Sequence, residues 1–327
     1  MRALLIINPR ATSISRGTVD RVVHEFGPGL GLDTVQTRYR GHARELAAAA
    51  GDYDLVVTLG GDGTVNEVVN GLMDGGSRRL DMRSGTADAA VPACLDGPAL
   101  APLPGGGANV FARTLGLPPH PVQAARHIAA AVAAGSSRAI GLGLAASDAG
   151  DRYFMFSSGL GVDAEVVADV ERMRAGGQRE SAPLFVWTAL RRYYTSTDRR
   201  RPALSLEADE MPATKGRLFM GVVTNSAPWT YLGNRPVRPA PHNDFSSGLD
   251  VFALRRLRTL STLKALGQMM HTDPRPVSGR DVVSATDLSG LEFQASRPVA
   301  FHIDGEYLGE IEKVAFRHLP GAMRVIA

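Results

Sequence analysis

The stretch Asp54-Leu-Val-Val-Thr-Leu-Gly-Gly-Asp-Gly-Thr-Val-Asn-Glu-Val-Val-Asn-Gly-Leu72 decides the fold. A short apolar run, Leu55–Leu59, stops at Gly60-Gly61-Asp62-Gly63-Thr64, and Val65, Val68, Val69 and Leu72 then recur at helical spacing. The order is strand, glycine turn, helix N-terminus, where free backbone N–H groups and the helix dipole attract an anion. Thr64 is a candidate cap, and Asn66-Glu67 fall in the first helical turn. Asp62 would repel a bare phosphate from this turn. It fits if a divalent cation bridges it to phosphates, because Mg²⁺ is commonly held by one or two carboxylates plus phosphate oxygens. An ordinary tight turn explains two or three glycines, but not the whole string.

Outward from this turn, strand and helix signals alternate. Ala3–Ile7 reads as a buried strand ending at Asn8-Pro9, Val19–Phe26 as a helix, Thr34–Thr37 as a strand and Ala43–Ala50 as a helix. Interleaving of this kind predicts a doubly wound parallel sheet with ligands at the carboxyl ends of its strands, where Asn8, Thr37 and Gly60 fall. Residues 74–97 read as a surface insertion. A second glycine loop, Gly105-Gly106-Gly107, then leads through Asn109 into a helix. Glycines there allow a close backbone approach to a ligand, and Asn109 is a candidate hydrogen-bond partner for a phosphate or nucleobase.

Past Gly135 the texture changes to many short strand-like runs, predicting an antiparallel β-sandwich. Two basic helical pieces, Ala164–Arg174 and Pro183–Thr195, interrupt it. The expected division is 1–138, with 319–327 as a strand returning to it, and 139–318.

At 327 residues and a net charge of +3, the chain is long enough for two cores and mildly basic, suiting an anionic ligand or surface. Cys94 is the single cysteine, so no intrachain disulfide is expected and a reducing compartment is the default. No apolar run reaches spanning length, so membrane contact is expected to be peripheral.

The motifs taken together resemble the diacylglycerol kinase catalytic-domain family, which includes bacterial lipid kinases and sphingosine and ceramide kinases. The matching pieces are Ile6-Ile7-Asn8-Pro9; Thr37 with Gly41-His42-Ala43; Gly60–Glu67; Pro104–Arg113; Ser158-Gly-Leu-Gly-Val-Asp-Ala164; and Asp304-Gly305-Glu306. The resemblance implies an α/β nucleotide-binding domain, a β-sandwich lipid domain and an active site in the cleft between them. It implies ATP-dependent phosphorylation of a lipid hydroxyl, with diacylglycerol converted to phosphatidic acid as the default, and a cytoplasmic enzyme peripheral to the membrane. ATP with Mg²⁺ would be held by Asn8, Thr37, Gly60, Gly61, Asp62, Gly63, Thr64, Asn66, Glu67, Gly106, Gly107 and Asn109, with Asp62 on the metal. Glu306 would be the general base and Asp304 its support, although Asp-Gly is also a strong hairpin signal. Asp163 stands as a lipid head-group contact, as an orienting group for the catalytic carboxylates, or as the N-cap of the helix from Ala164.

His42 and His302 take no role in this reading. Trp229 and Tyr231 are candidates for the acyl site or for sandwich core. The arginines Arg172, Arg174, Arg191, Arg192, Arg199, Arg200 and Arg201 could meet anionic phospholipid or form a solvated face. No nucleic-acid partner is expected, and a homodimer is left open.

Two departures from the family pattern concern the second loop and a structural metal. Gly107, Asn109 and Val110 stand where the family carries Thr-x-Asn-Asp, and Ser247 where a structural Mg²⁺ site before Leu249-Asp250-Val251 would draw its Asp; that site is expected to be absent or weak. An NAD kinase sharing the glycine turn, and a catalytically degenerate lipid-binding protein, are the rivals.

Overall fold

Strands that are apolar along their whole length need cover on both faces. A computed structural model, describing residues 1–27, 29–75, 97–175, 201–208, 214–271 and 275–327, gives them that cover. The chain separates into two units, Met1–Leu142 with Leu319–Ala327, and Gly143–His318.

The first unit runs β1 (Arg2–Ile7), α1 (Arg16–Phe26), β2 (Gly31–Gln36), α2 (His42–Ala48), β3 (Leu55–Gly60), α3 (Asp62–Gly75), β4 (Ala99–Pro104), α4 (Val110–Thr114) and α5 (Pro121–Ala133). The strands are parallel in the order β2-β1-β3-β4. Every residue of β3 and β4 is buried. The chain steps from β1 outward to β2, then back through β3 to β4. Right-handed crossovers therefore put α1 on one face and α2 and α3 on the other. Accordingly α1 packs on α5, and α2 on α3. Val325 adds a further parallel pairing, to Leu100, and the Ile326 N–H donates to the Leu100 carbonyl.

The second unit continues through β5 (Arg138–Ser147), whose residues up to Leu142 belong to the first unit, β6 (Gly150–Phe154), β7 (Ser157–Gly161), α6 (Val162–Ala175), β8 (Leu204–Glu207), β9 (Thr214–Leu218), β10 (Met220–Thr224), β11 (Thr230–Leu232), β12 (Arg235–Val237), β13 (Leu249–Leu254), α7 (Thr259–Met269), β14 (Val282–Leu288), β15 (Gly290–Ile303) and β16 (Glu306–Val325), whose last residues also belong to the first unit. Its ladders are antiparallel, in the order β14-β13-β10-β7-β15-β16. Phe154 and Phe293 meet Phe316 edge-on inside this core, at 5.9 and 6.4 Å between ring centres, the geometry aromatic pairs prefer.

The segment Ser157–Gly161, with glycines at 159 and 161, is a central strand. Pairing with β10 on one side and β15 on the other overrides its weak local propensity. The helix α7 was not anticipated. The strand-like runs Leu291–Ala295 and Val299–Ile303 join into one long β15, shifted in register between Gln294 and Val299. The expected helix 183–195, residues 76–96 of the insertion, and Arg191, Arg192, Arg199 and Arg200 lie outside the described residues.

Candidate active site

The two glycine loops of the first unit touch each other, backbone against backbone. A Cβ on Gly106 would lie 2.7 Å from the Gly61 Cα, and one on Gly105 3.0 Å from the Gly60 Cα. The Gly105 N–H donates to the Gly60 carbonyl at 2.7 Å, extending the β3–β4 ladder by one bond. A Cβ on Gly60 would meet the Thr64 side chain at 2.7 Å. These glycines are therefore required by the junction of the loops, whatever ligand lies beyond it. Asn109, in left-handed conformation at φ 47°, spends its side chain on the same loop. Its Oδ1 accepts the Gly106 N–H and its Nδ2 donates to the Gly106 carbonyl, both at 2.8 Å. Gly63 and Gly107 remain exposed.

Two carboxylates of α3 cap neighbouring helices. The Asp62 oxygens accept the Val110 and Phe111 N–H groups at 2.9 and 3.1 Å, at the start of α4. Glu67 accepts the Gly41 and Ala43 N–H groups at 2.8 and 3.2 Å, at the start of α2. Neither α2 nor α4 has a cap from its own N-cap side chain. Asp62 and Glu67 thus satisfy orphan donors and complement the positive end of each helix dipole. Asn8 Nδ2 donates to Thr64 Oγ1 at 2.9 Å, tying the end of β1 to the first turn of α3. The Thr37 N–H donates to the Ile7 carbonyl, setting Thr37 beside Asn8 at the strand ends. Asn66 is fully buried and accepts Asn70 Nδ2 at 3.1 Å, so it supports the helix from inside.

In the second unit, Asp304 and Gly305 form the tip of the β15–β16 hairpin. Both have positive φ, 47° and 76°, as a two-residue type I′ turn requires. Ile303 and Glu306 pair across the strands directly below, and His302 with Tyr307 below them. The buried Asp304 carboxylate accepts three backbone N–H groups, from Met155, Phe156 and Ser157, at 2.8, 3.0 and 3.1 Å. It locks the turn onto the segment joining β6 to β7. Glu306 extends from the turn and pairs with Arg152 of β6, Oε2 to Nη2 at 2.5 Å.

Asp163 is the second residue of α6 and faces β15. Its Oδ2 lies 2.6 Å from His302 Nε2, and both side chains are buried. With the carboxylate as acceptor, His302 donates through Nε2. Further along α6, Glu171 accepts the Tyr307 N–H at 3.0 Å. Gly159 explains itself here: a Cβ at that position would overlap Asp163 Oδ2 and His302 Nε2. Sequence reasoning missed His302, Arg152 and Glu171. A histidine two residues before Asp304 was the available signal, but its partner is 139 residues away.

Around Ser247, Asp244 closes its own turn. Its Oδ1 accepts the Ser246 hydroxyl and the Ser246 and Ser247 N–H groups, and these bonds hold its carboxyl below the usual range. The Ser247 hydroxyl bonds back to the Asp244 carbonyl. Burial pushes the Asp250 carboxyl up, against the N–H bond it accepts from Asp287 at 2.8 Å. Trp229 packs, partly buried, against the cluster formed by Val237, Phe252 and Leu254.

With this geometry in view, comparison with known proteins is direct. Residues 2–143 match the diacylglycerol kinase catalytic domain. A diacylglycerol kinase of Bacillus subtilis (strain 168) is 34% identical over 320 residues, covering 94% of this chain and 90% of the relative. The chain belongs to the diacylglycerol kinase family. This lipid kinase shares its fold with a diacylglycerol kinase from Bacillus anthracis str. Sterne, at a TM-score of 0.68 and 18% identity, over 99% of this chain and 96% of that one. A more distant fold likeness is to an NAD kinase from Archaeoglobus fulgidus in complex with ATP, at 0.53 and 12% identity, over 100% and 94% of the two chains.

Proposed function

We propose that this lipid kinase transfers the γ-phosphoryl group of ATP to the hydroxyl of diacylglycerol, giving phosphatidic acid and ADP. The observation that carries the reading is the relation to the Bacillus subtilis diacylglycerol kinase along nearly the whole chain. Phosphoryl transfer asks mainly for positioning and charge neutralisation. The first N–H groups of a helix have no intrahelical acceptor, so Gly60, Gly61, Gly63 and the first turn of α3 would receive the ATP phosphates. Asn8, Thr37 and Thr64 would line one side, and Gly106 and Gly107 the other. Asn66, Glu67 and Asn109 act one step behind, holding α3, α2 and the second loop in shape.

No group of three His, Cys, Asp or Glu side chains suited to caging a metal comes together among the described residues. Asp62 nevertheless fits as one carboxylate ligand of a Mg²⁺ otherwise held by phosphate oxygens and water, a common mode for this ion. Such an ion supplies neutralising charge to the phosphates.

Glu306 accepts the proton of the lipid hydroxyl as that oxygen bonds to the γ-phosphorus. The bond from phosphorus to the bridging oxygen of ADP breaks, and ADP leaves. Arg152 orients the Glu306 carboxylate and Asp304 fixes the turn that presents it. A general base needs hydrogen-bond reach before anything else, and a rigid two-residue turn provides that reach. The first unit is then the ATP-binding domain, the second the lipid domain, and the enzyme works on the cytoplasmic face of a membrane.

Labelled ATP, Mg²⁺ and a panel of lipids provide the test. Label in phosphatidic acid is expected, and Glu306→Gln should reduce it about 10²- to 10⁴-fold. Label in NADP instead would overturn the substrate reading, and undiminished turnover by Glu306→Gln would overturn Glu306 as the base.

A further inference from the structure

Of the five large apolar side chains exposed among the described residues, three lie on α7: Leu260, Leu263 and Leu266, at 83%, 53% and 38% exposure. Spaced three apart, they share one side of the helix. The opposite side is already committed, since Ala265 and Met269 pack with Val237, Phe252 and Leu254. A helix at an ordinary protein surface turns charged and polar residues outward. This one turns three leucines outward instead.

Charge marks what covers it. From 255 to 280 the chain carries Arg255, Arg256, Arg258, Lys264, Arg275 and Arg280 against one acid, Asp273. Arg256, Arg258, Lys264 and Arg280 are exposed, and none of them is in an ion pair among the described residues. Lys264 lies one turn beyond Leu260, at the margin of the leucine stripe. An apolar helix face with basic flanks is the signature of a helix lying in the plane of a membrane interface. Arginine and lysine near an anionic leaflet add an attraction of their own. A second copy of the chain suits the stripe less well, because a two-fold interface sets each patch against itself and brings its like charges together.

We propose that α7 is the membrane-docking element of this lipid kinase. Leu260, Leu263 and Leu266 enter the acyl boundary of an anionic phospholipid bilayer, and Arg256, Arg258 and Lys264 meet its head groups. The inference rests on the lipid-kinase reading, whose substrate stays in the bilayer. It assigns docking to a helix distinct from the arginines between 172 and 201.

Full-length protein would be sedimented with phosphatidylcholine vesicles, with and without phosphatidylglycerol. Turnover would be measured on diacylglycerol in vesicles and on a water-dispersed short-chain diacylglycerol. Wild-type protein should sediment with the anionic vesicles. Leu260→Glu with Leu263→Glu should lower the bound fraction and vesicle turnover about tenfold or more, leaving short-chain turnover within about twofold. Arg256→Gln with Lys264→Gln should weaken binding to the anionic vesicles and leave the neutral ones unchanged. Equal vesicle binding by the wild type and the leucine variant would overturn the proposal. So would a variant that loses self-association in place of vesicle binding, which would give the stripe to a second copy. A wild type that docks through α7 but phosphorylates neither form of diacylglycerol would uphold the docking and sink the substrate reading.

Discussion

His302 on β15 donates through Nε2 to Asp163 at the start of α6, 2.6 Å away and out of contact with water. Two turns along the same helix, Glu171 accepts the N–H of Tyr307, the cross-strand partner of His302. The helix α6 therefore holds both strands of the hairpin that carries Glu306, and these residues would position the proposed base. His302→Leu and Glu171→Ala should each lower kcat about tenfold or more, since small misplacements are costly in catalysis. KM for ATP should stay near the wild-type value. His302→Gln and Glu171→Gln keep the donor and the acceptor and should restore most of kcat. In a Glu306→Gln background, Glu171→Ala should cost nothing further. An equal loss in both backgrounds would reduce α6 to scaffolding.

Asp62 caps α4 and has a proposed second duty at the phosphates, and Glu67 gives the control for the first. Both cap a neighbouring helix, but Glu67 points away from the glycine turn to α2. Asp62→Asn and Glu67→Gln each keep one acceptor oxygen and should cost about 1 kcal/mol of stability, as weakened caps do. Their activities should diverge. Asp62→Asn should lose about 10²-fold or more in kcat, because charge beside the transferring phosphate is lost as well. Glu67→Gln should stay within about tenfold. Parallel thermal melts and ATP turnover would show it, and matched activity losses would leave Asp62 a cap alone.

The first unit was legible because its signals are local. Continuous burial makes β3 and β4 read as apolar runs, and Gly60–Gly63 interrupts the pattern at the functional edge. What the glycines face was not legible: Gly106 meets Gly61, 45 residues earlier in the chain. The second unit hid more. Gly159 and Gly161 look like a loop until β10 and β15 pair on either side of them. Leu257, Leu260, Leu263 and Leu266 carry a period of three that would have revealed α7. Arg152 and Glu171 gave no local sign, and His302 only its nearness to Asp304, because their partners come from tertiary pairing.

The contact between the glycine loops yields a sharp steric test. Gly106→Ala puts a methyl group 2.7 Å from the Gly61 Cα, where backbone must move to receive it. Overpacking of this kind costs about 1–3 kcal/mol. Because the displaced backbone is the proposed phosphate-binding turn, KM for ATP should rise about tenfold or more even where the protein stays folded. Gly107→Ala, at an exposed position, should be far milder. Nucleotide titration of the two variants compares them directly, and equal affinities would separate the loop contact from ATP binding.

Half-buried His318 makes stability depend on pH. Asn225 Nδ2 donates to the Met155 carbonyl, so its Oδ1 is the acceptor facing His318 Nδ1 at 3.2 Å, and the ring carries its proton there. His318 Nε2 is buried with no hydrogen-bond partner among the described residues. Burial pushes the imidazole below its ordinary 6.5, with the Asp287 charge pulling the other way. The folded chain thus keeps the ring neutral at a pH where the unfolded chain protonates it. Below 6.5 the unfolded state binds more protons, so stability falls as pH drops and goes on falling until the folded ring titrates too. One proton limits the slope to about 1.4 kcal/mol per pH unit. His318→Asn keeps a donor for Asn225 and cannot titrate. Urea midpoints of variant and wild type should run parallel above about pH 7.5 and converge or cross as the wild type weakens toward about pH 5.5. Curves that stay parallel over the whole range would assign the acid sensitivity to other groups.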